Sequence, residues 1–202
     1  MKPSPKKRIS KATPRLNRDD WLDAAFNAVV EGGFDAMRVL TLADTLGVTR
    51  GSFYWHFTDH ADLVVALLAR WRDRELDAGR TLKFDHTKTA QEELERVLDF
   101  ALAHAGADLE NMRFELALRG RGRRDPAVAS LLAEIDQMRL KLFEHRFERL
   151  TGNPKMAADL ATLFYLAIVG SYQALARPNN PPKLEAYLKG LIAQYVIRRP
   201  SS

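Results

Sequence analysis

The sequence predicts an all-α protein. Apolar residues recur every three to four positions along most of the 202-residue chain, no segment alternates convincingly with a period of two, and glycine, proline or capping residues separate the periodic segments. Hydrophobic residues make up 46% of the chain and charged residues 28%, which is typical of a protein with a packed core. Cysteine is absent, which excludes disulfides, thiol nucleophiles and thiolate metal sites.

Residues 1–16 are predicted to form a flexible basic arm. Seven of the first eighteen residues are lysine or arginine, none is acidic, and three prolines interrupt any helix. Such an arm either contacts phosphate groups or serves as a solubilising tail, and the sequence leaves both open. No apolar segment of signal-peptide type follows it, and the longest uncharged stretch is shorter than the roughly 20 residues of a spanning helix, so we expect a cytoplasmic protein.

The segment after the arm has the pattern of a helix-turn-helix. Asn17 followed by Asp20 forms a capping-box-like start for a first helix, Arg18 to Glu31, which two glycines end. A second short apolar pattern ends at Gly47, a residue suited to the left-handed turn after a helix, and Thr49 can cap a third helix. Two short helices joined by a glycine turn are typical of this motif.

The third helix carries the most specific functional signal. Phe53 and Phe57 lie four residues apart and are expected to face the core, so the opposite surface presents short polar donors, an arginine able to read a base, and aromatic side chains. That surface consists of Thr49, Arg50, Ser52, Tyr54, Trp55 and His56. Gly51 removes a side chain at a point where the backbone could approach a phosphate closely.

Helical periodicity continues to the end of the chain, with short polar breaks, and gives about nine helices in all. A fourth helix opens at Thr58 or Asp59. The later helices are predicted at Glu92 to Ala105, Asn111 to Leu118, Pro126 towards Leu150, Lys155 to Ala176 and Pro182 to Ile197. The basic glycine-rich run from Gly120 to Arg124 is predicted to be a solvated linker between two of them.

The run from Trp21 to Leu63 resembles the DNA-binding domain of the TetR family of bacterial transcriptional regulators. The pieces that carry the resemblance are Gly33-Phe34, Leu42-Ala43, Leu46-Gly47-Val48 and, above all, Phe53-Tyr54-Trp55-His56-Phe57. The resemblance implies a helix-turn-helix domain at residues 17–62 and a helical ligand-binding and dimerisation domain at residues 63–202. It further implies a dimeric repressor that binds palindromic operator DNA. The affinity of the repressor for this DNA is expected to change when a small-molecule effector binds.

Carried over position by position, the resemblance implies a set of DNA contacts on the third helix. They are Arg50 and Ser52 in the major groove, Thr49 as cap or phosphate contact, Tyr54 and His56 at the DNA backbone, and the neighbouring Gly51 and Trp55.

Three positions depart from the family's pattern. His60 stands where a lysine usually contacts phosphate, and an imidazole that is mostly neutral near pH 7 weakens that contact. Arg38 replaces the usual Ser/Thr cap of the second helix, which removes a capping hydrogen bond but offers a cation to phosphate. Leu40 takes the place of a polar base contact, so sequence readout is expected to depend more on the third helix.

Two further sets of residues are predicted with less specificity. Side chains on the middle helices are candidates for the effector pocket, although aromatic residues at helical spacing also form plain core. They are Trp71, Phe100, His104, Phe114 and Tyr165. Apolar stripes on the last two helices are the candidate dimer interface, unless they pack only inside the monomer. They are Phe164, Ile168, Leu184, Leu188, Leu191, Ile192 and Tyr195.

An enzyme is the competing class, and the sequence gives it no positive support. His56 and His60 are spaced to share a helix face, but no carboxylate or thiol accompanies them in the motif, so we expect no metal site. The glycine-rich run at residues 120–124 lacks the ending of a phosphate-binding loop, and the sequence holds no nucleophile elbow. We therefore expect no cofactor. The alternatives are a helical ligand- or partner-binding module without specific DNA binding and, less favoured, a small helical enzyme.

Overall fold

The computed structural model describes residues 16–82, 85–107, 109–175 and 190. Within those ranges the chain forms eight α-helices, one 3-10 turn and no strand, which confirms the predicted all-α fold class. The helices are α1 Arg18–Gly32, α2 Val39–Thr45, α3 Arg50–Phe53, α4 His60–Thr81, α5 Ala90–Ala107, α6 Leu109–Gly122, α7 Pro126–Thr151 and α8 Pro154–Leu175, with the 3-10 turn at Phe34–Ala36. Residues 1–15 of the predicted arm, and the predicted last helix at residues 182–197 apart from residue 190, lie outside the described residues.

Local capping sets the predicted helix boundaries. The Asn17 side chain accepts hydrogen bonds from the amides of Asp19 and Asp20 at 2.7 and 3.1 Å, and the Asp20 carboxylate accepts the Asn17 amide at 2.6 Å. This reciprocal capping box confirms the predicted start of α1. Gly47 adopts a φ of 67°, the left-handed turn expected of it, and Asp59 caps α4 by accepting the Asp62 amide at 2.8 Å.

The core of the N-terminal helices is built around aromatic side chains. Trp21 and Phe53 are fully buried and Phe57 is 2% exposed. The Trp21 and Phe53 rings meet edge to face at 5.4 Å, and the Phe53 and Phe57 rings stack at 5.4 Å. The predicted inward orientation of Phe53 and Phe57 is thus confirmed.

Phe114 of α6 connects these N-terminal helices to the rest of the molecule. Its fully buried ring stacks on Phe26 of α1 at 4.8 Å and lies 6.0 Å from Phe34 and 6.3 Å from Trp71 of α4. One hydrophobic core therefore runs from the N-terminal helices into α6 and α7. The predicted domain boundary after residue 62 falls in the first turn of α4, so this one helix belongs to both parts.

A second core joins α5, α7 and α8 and changes the expectation for the dimer interface. Phe164 and Ile168 are only 5% and 4% exposed, and the Phe164 ring packs edge to face on Phe143 of α7 at 5.0 Å. These two side chains are already covered within the monomer. The large exposed apolar residues of α8 are instead Met156, Leu163 and Leu166. The other five interface candidates, Leu184, Leu188, Leu191, Ile192 and Tyr195, lie outside the described residues.

The predicted linker at Gly120 to Arg124 is wrong in its first part, because α6 continues to Gly122. Tertiary contacts outweigh the low helix propensity of glycine here. The Arg121 guanidinium lies 4.9 Å from the centre of the Phe34 ring and its Nε is 3.2 Å from the Asp125 carboxylate. A Cβ on Gly122 would come within 3.1 Å of Leu132, so glycine also permits the close approach of α7.

Across the part of the chain that the structure describes, no helix combines the length and the apolar character needed to cross a membrane.

Phe114→Ala tests whether this ring joins the two parts of the fold. Removing a fully buried aromatic side chain should lower the free energy of unfolding by about 3–5 kcal/mol, as measured by urea denaturation. Val65→Ala on α4, where the side chain is 65% exposed, is the control and should change stability by less than about 0.5 kcal/mol. Equal effects of the two substitutions would show that Phe114 does not hold the parts together.

Candidate nucleic-acid interface and effector cavity

The turn between α2 and α3 has the hydrogen-bonding pattern of a helix-turn-helix. Leu46 donates its amide to Leu42 at 3.0 Å, and after Gly47 the Val48 amide returns to the Ala43 carbonyl at 3.0 Å. The chain thereby reverses tightly enough for α3 to start at Arg50. α3 is short, and hydrogen-bonded turns continue it as far as His56.

The polar and aromatic side of α3 faces outward. Tyr54 is 51% exposed and Trp55 87% exposed. Thr49, Arg50 and Gly51 are also exposed, while Ser52 and His56 are partly covered. We call Thr49, Arg50, Gly51, Ser52, Tyr54, Trp55 and His56 the reading surface. Because Phe53 anchors the opposite side of the helix in the core, this surface is available to a partner.

Arg50 is held in place by its neighbour Tyr54. Its Nη2 donates to the Tyr54 hydroxyl at 3.0 Å, and the guanidinium lies 5.8 Å from the centre of the Tyr54 ring. Tyr54 itself packs edge to face on buried Phe53 at 5.3 Å. The guanidinium is thus held beside an anchored ring, which reduces the side-chain entropy that it loses on binding. Thr49 occupies the N-cap position of α3, but its hydroxyl makes no capping hydrogen bond, contrary to the expected cap.

The start of α4 lies next to the reading surface and is organised by Asp62. Its carboxylate accepts both the amide and the hydroxyl of Thr58, at 3.0 and 2.9 Å. The backbone hydrogen bond from Thr58, followed by the hydroxyl, lowers the pKa of the Asp62 carboxyl. Arg18, whose guanidinium lies 4.8 Å from the centre of the Phe57 ring, also favours the charged form of Asp62.

His60 makes a contact that its sequence position did not suggest. Its Nε2 lies 2.7 Å from the backbone carbonyl of Met37. Since a carbonyl only accepts, the proton must be on Nε2, and the imidazole links α4 to the segment before α2. Arg38, at the N-cap of α2, makes no side-chain capping bond, as predicted, and its Nε donates to the Asp35 carbonyl at 3.3 Å. Leu40 is 59% exposed beside it.

A small cavity of about 60 Å³ lies between α4, α5, α7 and α8. Its walls are mostly apolar, and Glu75 and Arg139 form a polar end. Of the predicted pocket residues, Phe100 and Tyr165 line this cavity. The space is sufficient for a few water molecules only, so a ligand of ordinary size must separate the surrounding helices in order to enter.

Two other predicted pocket residues lie elsewhere. Trp71 is 3% exposed and donates its Nε1 to Asn111 at 3.1 Å, and Phe114 occupies the aromatic junction described above. Both pack in the first core, and neither lines the cavity. The side chain of His104 lies outside the described residues.

Comparison with known proteins shows which family the N-terminal helices resemble. A family model described as bacterial regulatory proteins of the tetR family matches residues 22–67, which include α2, α3 and the start of α4. The tetracycline repressor protein class D of Escherichia coli is 29% identical over 109 residues, and the match covers 50% of each chain. Residues 22–67 of this chain are therefore similar to the TetR family.

A second curated relative supports the same assignment. The HTH-type transcriptional regulator TtgR of Pseudomonas putida is 38% identical over 61 residues, which cover 30% of this chain and 29% of that protein. The chain thus spans about half the length, or less, of the TetR-family relatives that it matches. These relatives are named as repressors or transcriptional regulators and not as enzymes.

Solved structures show that the fold extends beyond the N-terminal helices. A TetR transcription regulator from Haloarcula marismortui has a TM-score of 0.70 at 14% identity, covering 89% of this chain and 96% of its own. A protein from Saccharomonospora viridis in complex with choline has a TM-score of 0.76 at 18% identity, covering 90% and 98%. FadR from Bacillus subtilis in complex with stearoyl-CoA has a TM-score of 0.62 at 16% identity, covering 87% and 97%. At these identities the comparison shows that this chain and the three solved structures share a fold.

Asp62→Asn gives a pH-dependent prediction for the start of α4. Because folding lowers the pKa of this carboxyl, its stabilising contribution is present above the pKa of the unfolded chain and is lost as the pH falls through the lowered value. The substitution should therefore destabilise the protein at about pH 7 and have less effect at about pH 2, as measured by urea unfolding. The control is Asp44→Asn, at an exposed carboxylate of α2, which should have the smaller effect near neutral pH. A loss for Asp62→Asn that is equal at both pH values would contradict the account.

Proposed function

We propose that this chain is a ligand-responsive transcriptional repressor that binds a palindromic operator as a homodimer in the cytoplasm. The observation that carries the proposal is the outward orientation of the reading surface. An arginine, two hydroxyls and exposed aromatic side chains stand on one side of α3, and the buried Phe53 holds the other side. Side chains of these types contact base edges and phosphates when such a helix enters the major groove.

Within this interface Arg50 is the base-reading residue and the surrounding groups position the protein. Arginine reads guanine through two hydrogen bonds, and Arg50 is already held by Tyr54. Ser52 enters the major groove beside Arg50. The DNA backbone on either side is contacted by Thr49, Tyr54, Trp55 and His56. Arg38 and Gly51 complete the proposed set of DNA-contacting residues. His60, at the start of α4 next to the reading surface, belongs to the same interface.

A dimer is needed because one such helix reaches too few base pairs to select a site in a genome. The exposed apolar side chains of α8, Leu163 and Leu166 at 67% and 61%, offer the surface for self-association. Two copies related by a two-fold axis would then present their α3 helices to successive major grooves, roughly 34 Å apart.

α4 is the helix that transmits the binding of an effector in the cavity to the reading surface. This 22-residue helix begins at His60 beside the reading surface and carries Glu75 and Gly79 in the cavity wall. A ligand that forces the cavity open must shift α4 or its neighbours, and the shift reaches the reading surface through the same helix. The ligand thereby favours a population of dimers whose α3 helices no longer match the groove spacing.

Small molecules are the effector class that this architecture suits. The structurally similar proteins from Saccharomonospora viridis and Bacillus subtilis were solved with choline and stearoyl-CoA, which are the ligands of those proteins. They support a ligand-binding role for the helices after α3 in this chain.

Arg50→Ala tests the reading role. The variant should lose about 1–3 kcal/mol of binding free energy on the preferred operator and discriminate less between that operator and one altered at the contacted base pair. Fluorescence anisotropy with labelled duplexes at fixed salt measures both. Arg80→Ala removes the same charge at the far end of α4, where the side chain is 73% exposed and pairs with Asp77, and it should leave discrimination unchanged.

The operator for this test comes from selection of bound fragments from a random DNA pool. A palindromic consensus is the expected outcome, because it reports DNA binding and two-fold symmetry together. Unchanged discrimination by Arg50→Ala would remove Arg50 from base reading. Failure to enrich any sequence would overturn the proposed function and favour a helical binding module without specific DNA recognition.

A further inference from the structure

An exposed leucine on α2 lies outside the two hydrophobic cores of the described chain. Leu40 is 59% exposed and belongs to neither core. The inward side of α2 is formed by Leu42 and Ala43, which are 1% and 2% exposed, together with the partly buried Val39 and Leu46. The packing of α2 therefore does not depend on a leucine at this position.

The first turn of α2, which carries this leucine, lies beside the end of the reading surface. His60 donates from Nε2 to the Met37 carbonyl at 2.7 Å, and Leu40 follows Met37 by three residues. A chain covers at most about 3.5 Å per residue, so Leu40 lies within about 11 Å of Met37. His60 follows His56, the last residue of the reading surface, by four residues. The His60 contact thus places Leu40 next to the side of the protein that carries the reading surface.

The charges on α2 determine which of its ends approaches DNA. Arg38, at the N-cap, is an exposed cation. Asp44 is exposed in the last turn and lies one turn beyond Leu40 on the same side of the helix. Phosphates are attracted to the guanidinium and repelled by the carboxylate. A duplex that is bound to the reading surface therefore meets α2 at its first turn, where Leu40 lies.

The major groove offers a leucine side chain one kind of base partner. Base edges present hydrogen-bond donors and acceptors there, and thymine adds an apolar group, its C5 methyl. A leucine side chain has no donor or acceptor, so over any other base edge it would leave polar groups without a partner. Contact between Leu40 and a thymine methyl removes apolar surface of both from water.

The exposed aromatic side chains of the reading surface differ from Leu40 in this respect. The Tyr54 hydroxyl accepts a hydrogen bond from Arg50 at 3.0 Å, and the Trp55 indole carries an N–H, so both have polar atoms for the DNA backbone. A leucine that touched only the sugar–phosphate backbone would carry no sequence information and would gain no polar contact. The chemistry of Leu40 thus favours a base methyl over the backbone.

We propose that Leu40 is a specificity-determining residue that contacts the C5 methyl of a thymine in the operator, next to the base pairs that α3 contacts. This inference rests on the proposed function, because it takes the reading surface to be the DNA interface. α2 then adds to the readout by Arg50 through apolar contact and not through hydrogen bonds. The operator is expected to require the methyl group at one thymine position of each half-site.

Single replacements of thymine by uracil in the selected operator test the contact. Uracil keeps the hydrogen-bonding groups of thymine and lacks only the C5 methyl. Each thymine is replaced in both half-sites, and the affinity is measured by fluorescence anisotropy at fixed salt. At one position the replacement should weaken binding of the unmodified protein by about fourfold to fifteenfold, and binding of Leu40→Ala by less than about 1.5-fold.

A matched leucine provides the control for this substitution. Leu109 is 54% exposed at the start of α6, and Leu109→Ala should keep the uracil sensitivity of the unmodified protein. Leu40→Ala should shift Tm by less than about 2 °C, because the side chain that it removes is exposed and lies outside both cores.

Cytosine methylation gives the converse measurement. At the sensitive position the T·A pair is replaced by C·G, and then by 5-methylcytosine·G, which restores a methyl group at the same place in the groove. The methyl group should strengthen binding of the unmodified protein by about fourfold to fifteenfold and leave Leu40→Ala unchanged within about 1.5-fold. Equal gains by the two proteins would assign the methyl contact to another residue.

The outcomes separate this inference from the proposed function. Specific binding to an operator without thymine, or with the same uracil sensitivity in Leu40→Ala and the unmodified protein, would overturn the inference and leave the regulator intact. A change in the oligomeric state of Leu40→Ala without DNA, measured by sedimentation, would place Leu40 in a protein interface and also overturn the inference. Failure to enrich any DNA sequence would overturn both.

Discussion

The burial of Phe53 against Trp21 is the contact on which the orientation of the reading surface depends. α3 spans only Arg50–Phe53, too few residues for a helix that is stable without tertiary packing. Its orientation is set by one fully buried ring that meets Trp21 edge to face and stacks on Phe57. Because that ring points inward, the helical geometry turns Arg50, Ser52 and Trp55 away from the core.

α4 and Phe114 connect the region of the reading surface physically to that of the cavity. α4 carries His60 at one end and Glu75 three-quarters of the way along, so a displacement at the cavity acts on a rigid rod. Phe114 packs against Phe26, Phe34 and Trp71 and leaves little freedom for the N-terminal helices to move independently of α6. Glu115, the next residue on α6, accepts a hydrogen bond from Arg139, which lines the cavity. α4 and α6 thus connect the region of the reading surface to that of the cavity.

Local signals in the sequence predicted the parts of the fold that local interactions decide. The capping box at Asn17, the left-handed turn at Gly47 and the inward phenylalanines of α3 depend on neighbours within a few residues, and all were predictable. Side-chain partners far apart in sequence were not. Periodicity marks an apolar stripe on α8 but does not say which side meets α7, so it leaves open whether Phe164 and Ile168 face a second copy or the monomer core. In the structure both are buried, and Leu163 and Leu166 are exposed.

The residues that line the cavity were even less predictable from the sequence. Glu75 lies on an amphipathic helix among other charged residues, where a sequence gives no reason to expect a buried carboxylate. Its burial depends on Arg139 and Asn111, 64 and 36 residues away in the chain. The His60 contact with Met37 and the helical course of Gly120 to Gly122 likewise follow from tertiary packing that no short motif encodes.

Trp55 provides the most direct test of the account, because it is the exposed tryptophan on the reading surface while Trp21 and Trp71 are 0% and 3% exposed. Acrylamide quenching of intrinsic fluorescence in the free protein should therefore report mainly on Trp55, and Trp55→Phe should remove the quenchable fraction. On addition of the selected operator duplex, quenching should fall in step with binding. Tight operator binding with Trp55 as quenchable as in the free protein would show that DNA contacts another face of the protein.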